Sequence, residues 1–128
     1  MKKLTRTFVF NLSLTLVYCI GIYIQSSYPS VHRLPDMRHM DKVLHFGGYA
    51  LLGIFFFRTF QALPIDISIK LAMAIGMASS ALYGISDEIH QHFVPYRHAD
   101  VWDAVADGLG AVFGVLVYRY GWVRGKQG

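Results

Sequence analysis

The chain has 128 residues, of which 54% are hydrophobic and only 16% charged, with a net charge of +4. That length holds one domain, and the composition is too apolar for a disordered chain and too poor in charge for a typical soluble one, where about 25% of residues are charged. The basic residues form no patch interleaved with aromatics, so nucleic acid is not an expected partner. The few charges fall at the ends of four apolar blocks, which predicts an all-α, polytopic integral membrane protein: a single domain over 1–128 with four transmembrane helices in a lipid bilayer.

The first span is predicted at about 8–25, with Asn11, Ser13 and Thr15 as its polar interruptions. It follows Lys2, Lys3 and Arg6 and could pass for a signal peptide, but the apolar run exceeds an h-region of ~7–15 residues and no small-residue cleavage site follows. It is therefore read as uncleaved. The sole cysteine, Cys19, lies within this span and precludes an intramolecular disulfide. A short amphipathic segment is expected between Ser30 and Met40. The second span is predicted at about 42–58, where Phe55, Phe56 and Phe57 are expected to face lipid. The third, at about 70–87, ends before a loop in which Pro95 stops the helix near Val94. The fourth, at about 101–120, is unusual in carrying Asp103 and Asp107 within it.

Lys and Arg set the orientation. With the N-terminus inside, the inner segments hold Lys2, Lys3, Arg6, Arg58, Lys70, Arg119, Arg124 and Lys126, and the outer loops hold Arg33, Arg38, Lys42 and Arg97. Eight against four favours both termini on the cytoplasmic side. The acidic residues and histidines then gather on the outer side, at the ends of spans two, three and four or in the outer loops; only Asp66 falls on the inner face.

Helical spacing organises this group. Asp41 and His45 share a face of the second helix with Lys42 beside them, and Glu88 and Gln91 share a face of the third. Asp100, Asp103, Asp107, Gly110 and Gly114 recur at steps of three and four on the fourth. On the third, Ala72, Gly76, Ser80 and Gly84 lead to Glu88. Small residues at this spacing let helices approach closely in lipid, so both stripes should point into the bundle. A carboxylate at Asp107, about 9 Å along the helix from Val101 at ~1.5 Å per residue, needs a partner: His45, Lys42 or Arg97.

Each candidate has a chemical and a structural reading. Asp41, Lys42 and His45 suit proton transfer or phosphate binding, or else cap the second span at the interface. Glu88 with Gln91 suits a general base with a positioning amide, or a polar helix end. Arg97 suits bidentate capture of a phosphate or carboxylate, or an ion pair with Asp100 or Glu88. Asp100 and Asp103 suit acid–base work or, with Glu88 and His45, a hard metal; alternatively Asp100 is the N-cap of span four and Asp103 sits in its positive first turn. His90, His92 and His98 form no closed zinc motif and read as surface residues. No cofactor, metal or oligomeric state is specified by these patterns.

The elements Asp41-Lys42-x-x-His45, then Glu88-x-x-Gln91-x-Phe93-x-Pro95-x-Arg97, then Asp100-x-x-Asp103 with Gly110 and Gly114, together resemble the VanZ-like family of small bacterial membrane proteins. The resemblance covers roughly residues 36–118, and many members carry Asn where this chain has Asp107. It implies a cell-envelope membrane protein; the founding member is associated with teicoplanin resistance, and no particular reaction comes with it. Residues and resemblance together lead to the expectation of a site that faces outward, in a bacterial inner membrane, and binds or modifies a lipid-linked or anionic envelope component. Glu88, His45 and Asp103 are its candidate catalytic groups, and Asp41, Lys42, Gln91, Arg97 and Asp100 its candidate binding groups. The alternatives are a non-catalytic, envelope-shielding protein and a small dimeric transporter.

Overall fold

A computed structural model describes the backbone of residues 2–28, 38–95, 97 and 99–122, and the side chains of 5–28, 42–95, 97 and 99–121. Most of the expected amphipathic segment, the side chain of Asp41, and His98 fall outside the described residues. Among the described residues there are four long helices and no strand: α1 (Lys2–Ser26), α2 (Arg38–Gln61), α3 (Ile69–His92) and α4 (Val101–Leu116), the last continuing into a π-helical segment, Val117–Trp122. Stretches within them, Thr5–Ser26, Lys42–Gln61, Ile69–His92 and Val101–Gly121, are long and apolar enough to cross a bilayer. These four candidate spans make the chain a multi-pass membrane protein.

The helix ends follow local chemistry. The Ser68 side chain accepts the Leu71 N–H at 3.1 Å and starts α3. The Asp100 carboxylate accepts the Trp102 N–H at 2.9 Å and starts α4, as its N-cap reading required. α3 ends at His92, and the Phe93 N–H turns back to the carbonyls of Gln91 and His90. Nothing in the sequence explains why the end of α4 widens into a π-helix.

The small-residue stripes determine how closely α2, α3 and α4 pack. Ala72, Gly76, Ser80, Gly84 and Glu88 are all buried on α3, and Asp103, Asp107, Gly110 and Gly114 are buried on α4. The most intimate contact is between α2 and α4. A Cβ at Gly110 would overlap the Phe46 carbonyl oxygen, and one at Gly114 would overlap that of Ala50. Only glycine lets these two backbones touch.

At the end of the bundle formed by the C-terminal part of α2, the start of α3 and the end of α4, Phe57, Ala72, Met73 and Val115 make an apolar core, with Met77 and Tyr118 packed against it. This corrects the expectation for the phenylalanine triplet. Phe57 is 1% exposed and Phe55 and Phe56 are half-buried, because three consecutive residues fan around a helix and cannot share one lipid-facing side. α1 packs chiefly on α2 and touches α3 only lightly. Its inward face is polar and is held by hydrogen bonds: Thr15 Oγ1 to Thr59 Oγ1 at 2.9 Å, and Tyr18 Oη donating to the Gly48 carbonyl at 2.8 Å. The outward surfaces of all four helices carry large apolar side chains, such as Val17, Leu82 and Leu109.

Candidate functional site

The opposite end of the bundle is where the start of α2, the end of α3 and the start of α4 meet. It carries the ionisable residues, which lie at two levels. At the rim, Lys42 Nζ reaches Asp100 Oδ2 at 3.1 Å and Asp103 Oδ1 at 3.5 Å; the lysine is 39% exposed, whereas the Asp103 side chain is 5% exposed. One turn deeper, His45 Nδ1 lies 2.9 Å from Asp107 Oδ1 and 4.0 Å from Glu88 Oε1. His45 lies three residues, just under one turn, beyond Lys42, so the face that brings Lys42 to the rim carries the imidazole inward.

Glu88 ties the levels together. Its Oε2 accepts the Asp100 backbone N–H at 3.1 Å, so the same residue that caps α4 is locked to the end of α3. Asp107 is fully buried and lies against Gly84, where an added Cβ would come within 2.8 Å of the Asp107 Cβ and 2.9 Å of its Oδ2. Gly84 is thus required for the carboxylate to occupy this place. Glu88 Oε1 and Asp107 Oδ2 are buried and have no hydrogen-bond partner among the described residues.

A second network stands beside this pair. Tyr49 Oη donates to Asp87 Oδ2 at 3.1 Å, and Gln91 Nε2 donates to the same oxygen at 3.2 Å and to Ser26 Oγ at 3.3 Å. Ser80 Oγ donates to the Tyr49 carbonyl at 3.1 Å and ties α3 to the α2 backbone at that residue. The His45 and Tyr49 rings lie nearly parallel with centroids 6.3 Å apart, which links the two networks.

Of the residues singled out in the sequence, the structure brings together Lys42, His45, Glu88, Asp100 and Asp103. Gln91 lies in the adjoining Asp87 network, with its amide engaged by Asp87 and Ser26. Arg97 stands apart: its Nη1 donates to the carbonyls of Gln25 and Tyr28, 3.1 and 3.0 Å away, and ties the connection between α3 and α4 to the end of α1. Asp41's side chain is outside the described residues. Of the three partners considered for Asp107, the structure selects His45. His92 is exposed, while His90 contacts α1, with its ring stacked on Tyr23 at 4.7 Å and its Nε2 3.0 Å from Ser27 Oγ.

Sequence reasoning did not include Asp107, Asp87, Tyr49 and Ser26 in the site. Asp107 carried a signal, since it continued the Asp100–Asp103 stripe; Tyr49 carried a weaker one, lying one turn beyond His45. Ser26 carried none, because its role depends on where α1 docks. Chemically, the arrangement offers an imidazole between two buried carboxylates, with an exposed amine held by two further carboxylates above it. His45, Glu88 and Asp107 each present one donor atom within 4.8 Å of the others, the spacing of a small metal-binding set.

Four apolar helices enclosing an ionisable cluster at one end define a polytopic membrane protein with a polar site built between its helices. Its sequence matches the VanZ/LLP1 family model over residues 2–124, and the chain belongs to that family. No curated protein and no solved structure shows significant similarity to it.

Proposed function

We propose that this VanZ-family protein works in the bacterial cell envelope, with both termini in the cytoplasm and the ionisable site on the outer side of the inner membrane. There it engages a lipid-linked envelope component through that component's polar, anionic head. The observation that carries this reading is the two-level cluster at one end of the bundle, with Lys42 exposed at the rim and His45, Glu88 and Asp107 buried below it. Ionisable side chains within membrane spans are costly, and they commonly mark a substrate or ion pathway. The flanking helices present apolar surface to lipid, so a lipid-borne head can reach the rim while its tail stays in the bilayer.

In this reading Lys42 receives the anionic group, Asp100 and Asp103 hold the amine in place, and His45 with Glu88 supplies a base beneath it. The reading links the protein to glycopeptide tolerance, teicoplanin in particular, through the envelope component it binds or alters. A transporter fits the molecule less well. Among the described residues, the opposite end is closed by the apolar core of Phe57, Ala72, Met73 and Val115, with no matching polar site for alternating access.

The test is expression in a teicoplanin-sensitive Gram-positive host, with membrane levels matched by immunoblot. The wild-type chain is expected to raise the inhibitory concentration at least fourfold, and Glu88→Gln to abolish the increase without lowering the thermal stability of the purified protein. No effect of the wild-type chain would remove the link to teicoplanin. Full activity of the Glu88→Gln and His45→Ala variants would favour the envelope-shielding alternative, in which no single polar side chain is decisive.

A further inference from the structure

The buried floor of the cluster has metal-ligand atoms of two kinds and two carboxylate oxygens without hydrogen-bond partners among the described residues. His45 offers an imidazole nitrogen, and Glu88 and Asp107 offer carboxylate oxygens, all within 4.8 Å of one another. The residues come from α2, α3 and α4, so the set exists only where the three helices pack. We infer that His45, Glu88 and Asp107 bind a divalent transition-metal ion of the Mn2+, Fe2+ or Zn2+ class.

Three observations support this inference. The first is geometric. Metal–ligand bonds of about 2.1 Å place neighbouring donors roughly 3 to 4 Å apart, and the His45 Nδ1 distances to Asp107 Oδ1 and Glu88 Oε1 are 2.9 and 4.0 Å. The second is the pair of orphaned oxygens. Glu88 is 8% exposed and Asp107 0%, yet Glu88 Oε1 and Asp107 Oδ2 have no hydrogen-bond partner among the described residues. A buried carboxylate oxygen without a donor or a cation is strongly disfavoured. The same end of the bundle does satisfy Asp87, whose Oδ2 takes hydrogen bonds from both Tyr49 and Gln91. The nearest described lysine is engaged one level higher, on Asp100 and Asp103.

The third is the chemistry of the donor set. Calcium and magnesium prefer shells made wholly of oxygen, whereas one imidazole with two carboxylates suits manganese, iron and zinc. Three protein ligands leave coordination positions for water or for a ligand oxygen arriving from the rim. Glu88 is also held from behind by the Asp100 N–H at 3.1 Å, an outer contact of the kind that orients metal ligands. The inference stands on the three residues themselves and does not depend on what the rim binds; a bound ion would occupy His45 and Glu88 and so take the place of their role as base. A bound dication would, however, convert a floor lined by carboxylates into one that attracts an anionic head.

The test uses the full-length protein in detergent, treated with EDTA, exchanged into chelator-free buffer and titrated with MnCl2 while free Mn2+ is read by electron paramagnetic resonance. One Mn2+ per chain is expected to disappear from the free signal, and pulsed spectra of the bound ion should show nitrogen modulation from one imidazole. ZnCl2 is expected to compete for the same site. Glu88→Gln and Asp107→Asn should each weaken binding at least tenfold, while Asp66→Asn, in the connection between α2 and α3, should bind like the wild type. The inference is overturned if the wild-type protein takes up neither Mn2+ nor Zn2+ saturably, if bound Mn2+ shows no nitrogen modulation, or if binding survives unchanged in both carboxylate variants. The first two readouts need only the wild-type protein, so an unstable variant does not spoil the test.

Discussion

The two ends of this bundle are built from the same three helices and solve opposite problems. At one end Phe57, Ala72, Met73 and Val115 fill the space between α2, α3 and α4 with apolar atoms in contact. At the other, the same helices enclose His45, Glu88 and Asp107 and leave two carboxylate oxygens without hydrogen-bond partners among the described residues. Between them the glycine stripe of α4 presses on the backbone of α2. In a bilayer, where lipid is as apolar as leucine, helix association rests on close packing rather than on hydrophobic burial. The packed end and the glycine seam therefore hold the fold, and the ionisable end is carried by them at a cost.

This division can be broken at the seam. Gly114→Val would drive a side chain into the Ala50 carbonyl, a clash with backbone that no rotamer relieves. The expected loss exceeds ~3 kcal/mol, the upper range for overpacking, and should appear as loss of monodisperse, folded protein after extraction. At the apolar end, Phe57→Ala should destabilise by about 3 kcal/mol through the cavity it leaves, measured as a fall in the melting temperature of the detergent-solubilised protein.

The ionisable end should respond with the opposite sign. Asp107→Asn keeps the shape and an oxygen able to accept from a His45 Nδ1–H while removing a buried charge, so stability without added metal should hold or rise by about 1 kcal/mol. A clear destabilisation instead would mean that the cluster supports the fold. The smallest effect is expected at the α1 contact. Thr15→Val removes the 2.9 Å bond to Thr59 and should cost about 0.6 kcal/mol, the average for a hydrogen bond between membrane helices. Reporter fusions test the proposed topology: alkaline phosphatase placed after residue 93 should be active, and the same enzyme fused at the C-terminus should be inactive.

Much of this was legible in the sequence because membrane helices repeat simple rules. Apolar length predicted all four spans, and spacing by four predicted that Gly76, Gly84, Gly110 and Gly114 would face inward. The i, i+4 steps also placed Asp103 and Asp107 on one buried face. Illegible were the pairings across helices. That His45 chooses Asp107, that Lys42 stays at the rim with Asp100 and Asp103, and that Arg97 turns to the carbonyls of Gln25 and Tyr28 all depend on helix rotation and offset. Phe57 shows the same limit from the apolar side, since a run of three phenylalanines does not say which of them meets Gly76.

The sequence by itself determined the class of molecule, the number of spans, the face each helix turns inward and the family motifs. These follow from hydropathy and helical period, which act along one chain segment at a time. Only the tertiary structure decided which ionisable groups share a floor and which remain at the rim. It also fixed α1 to the bundle through Thr15 and Tyr18, and left Glu88 and Asp107 each with an oxygen lacking a hydrogen-bond partner among the described residues. Such pairings are set by angstrom-scale approach between helices far apart in sequence, and here Gly110 and Gly114 allow that approach between α4 and α2.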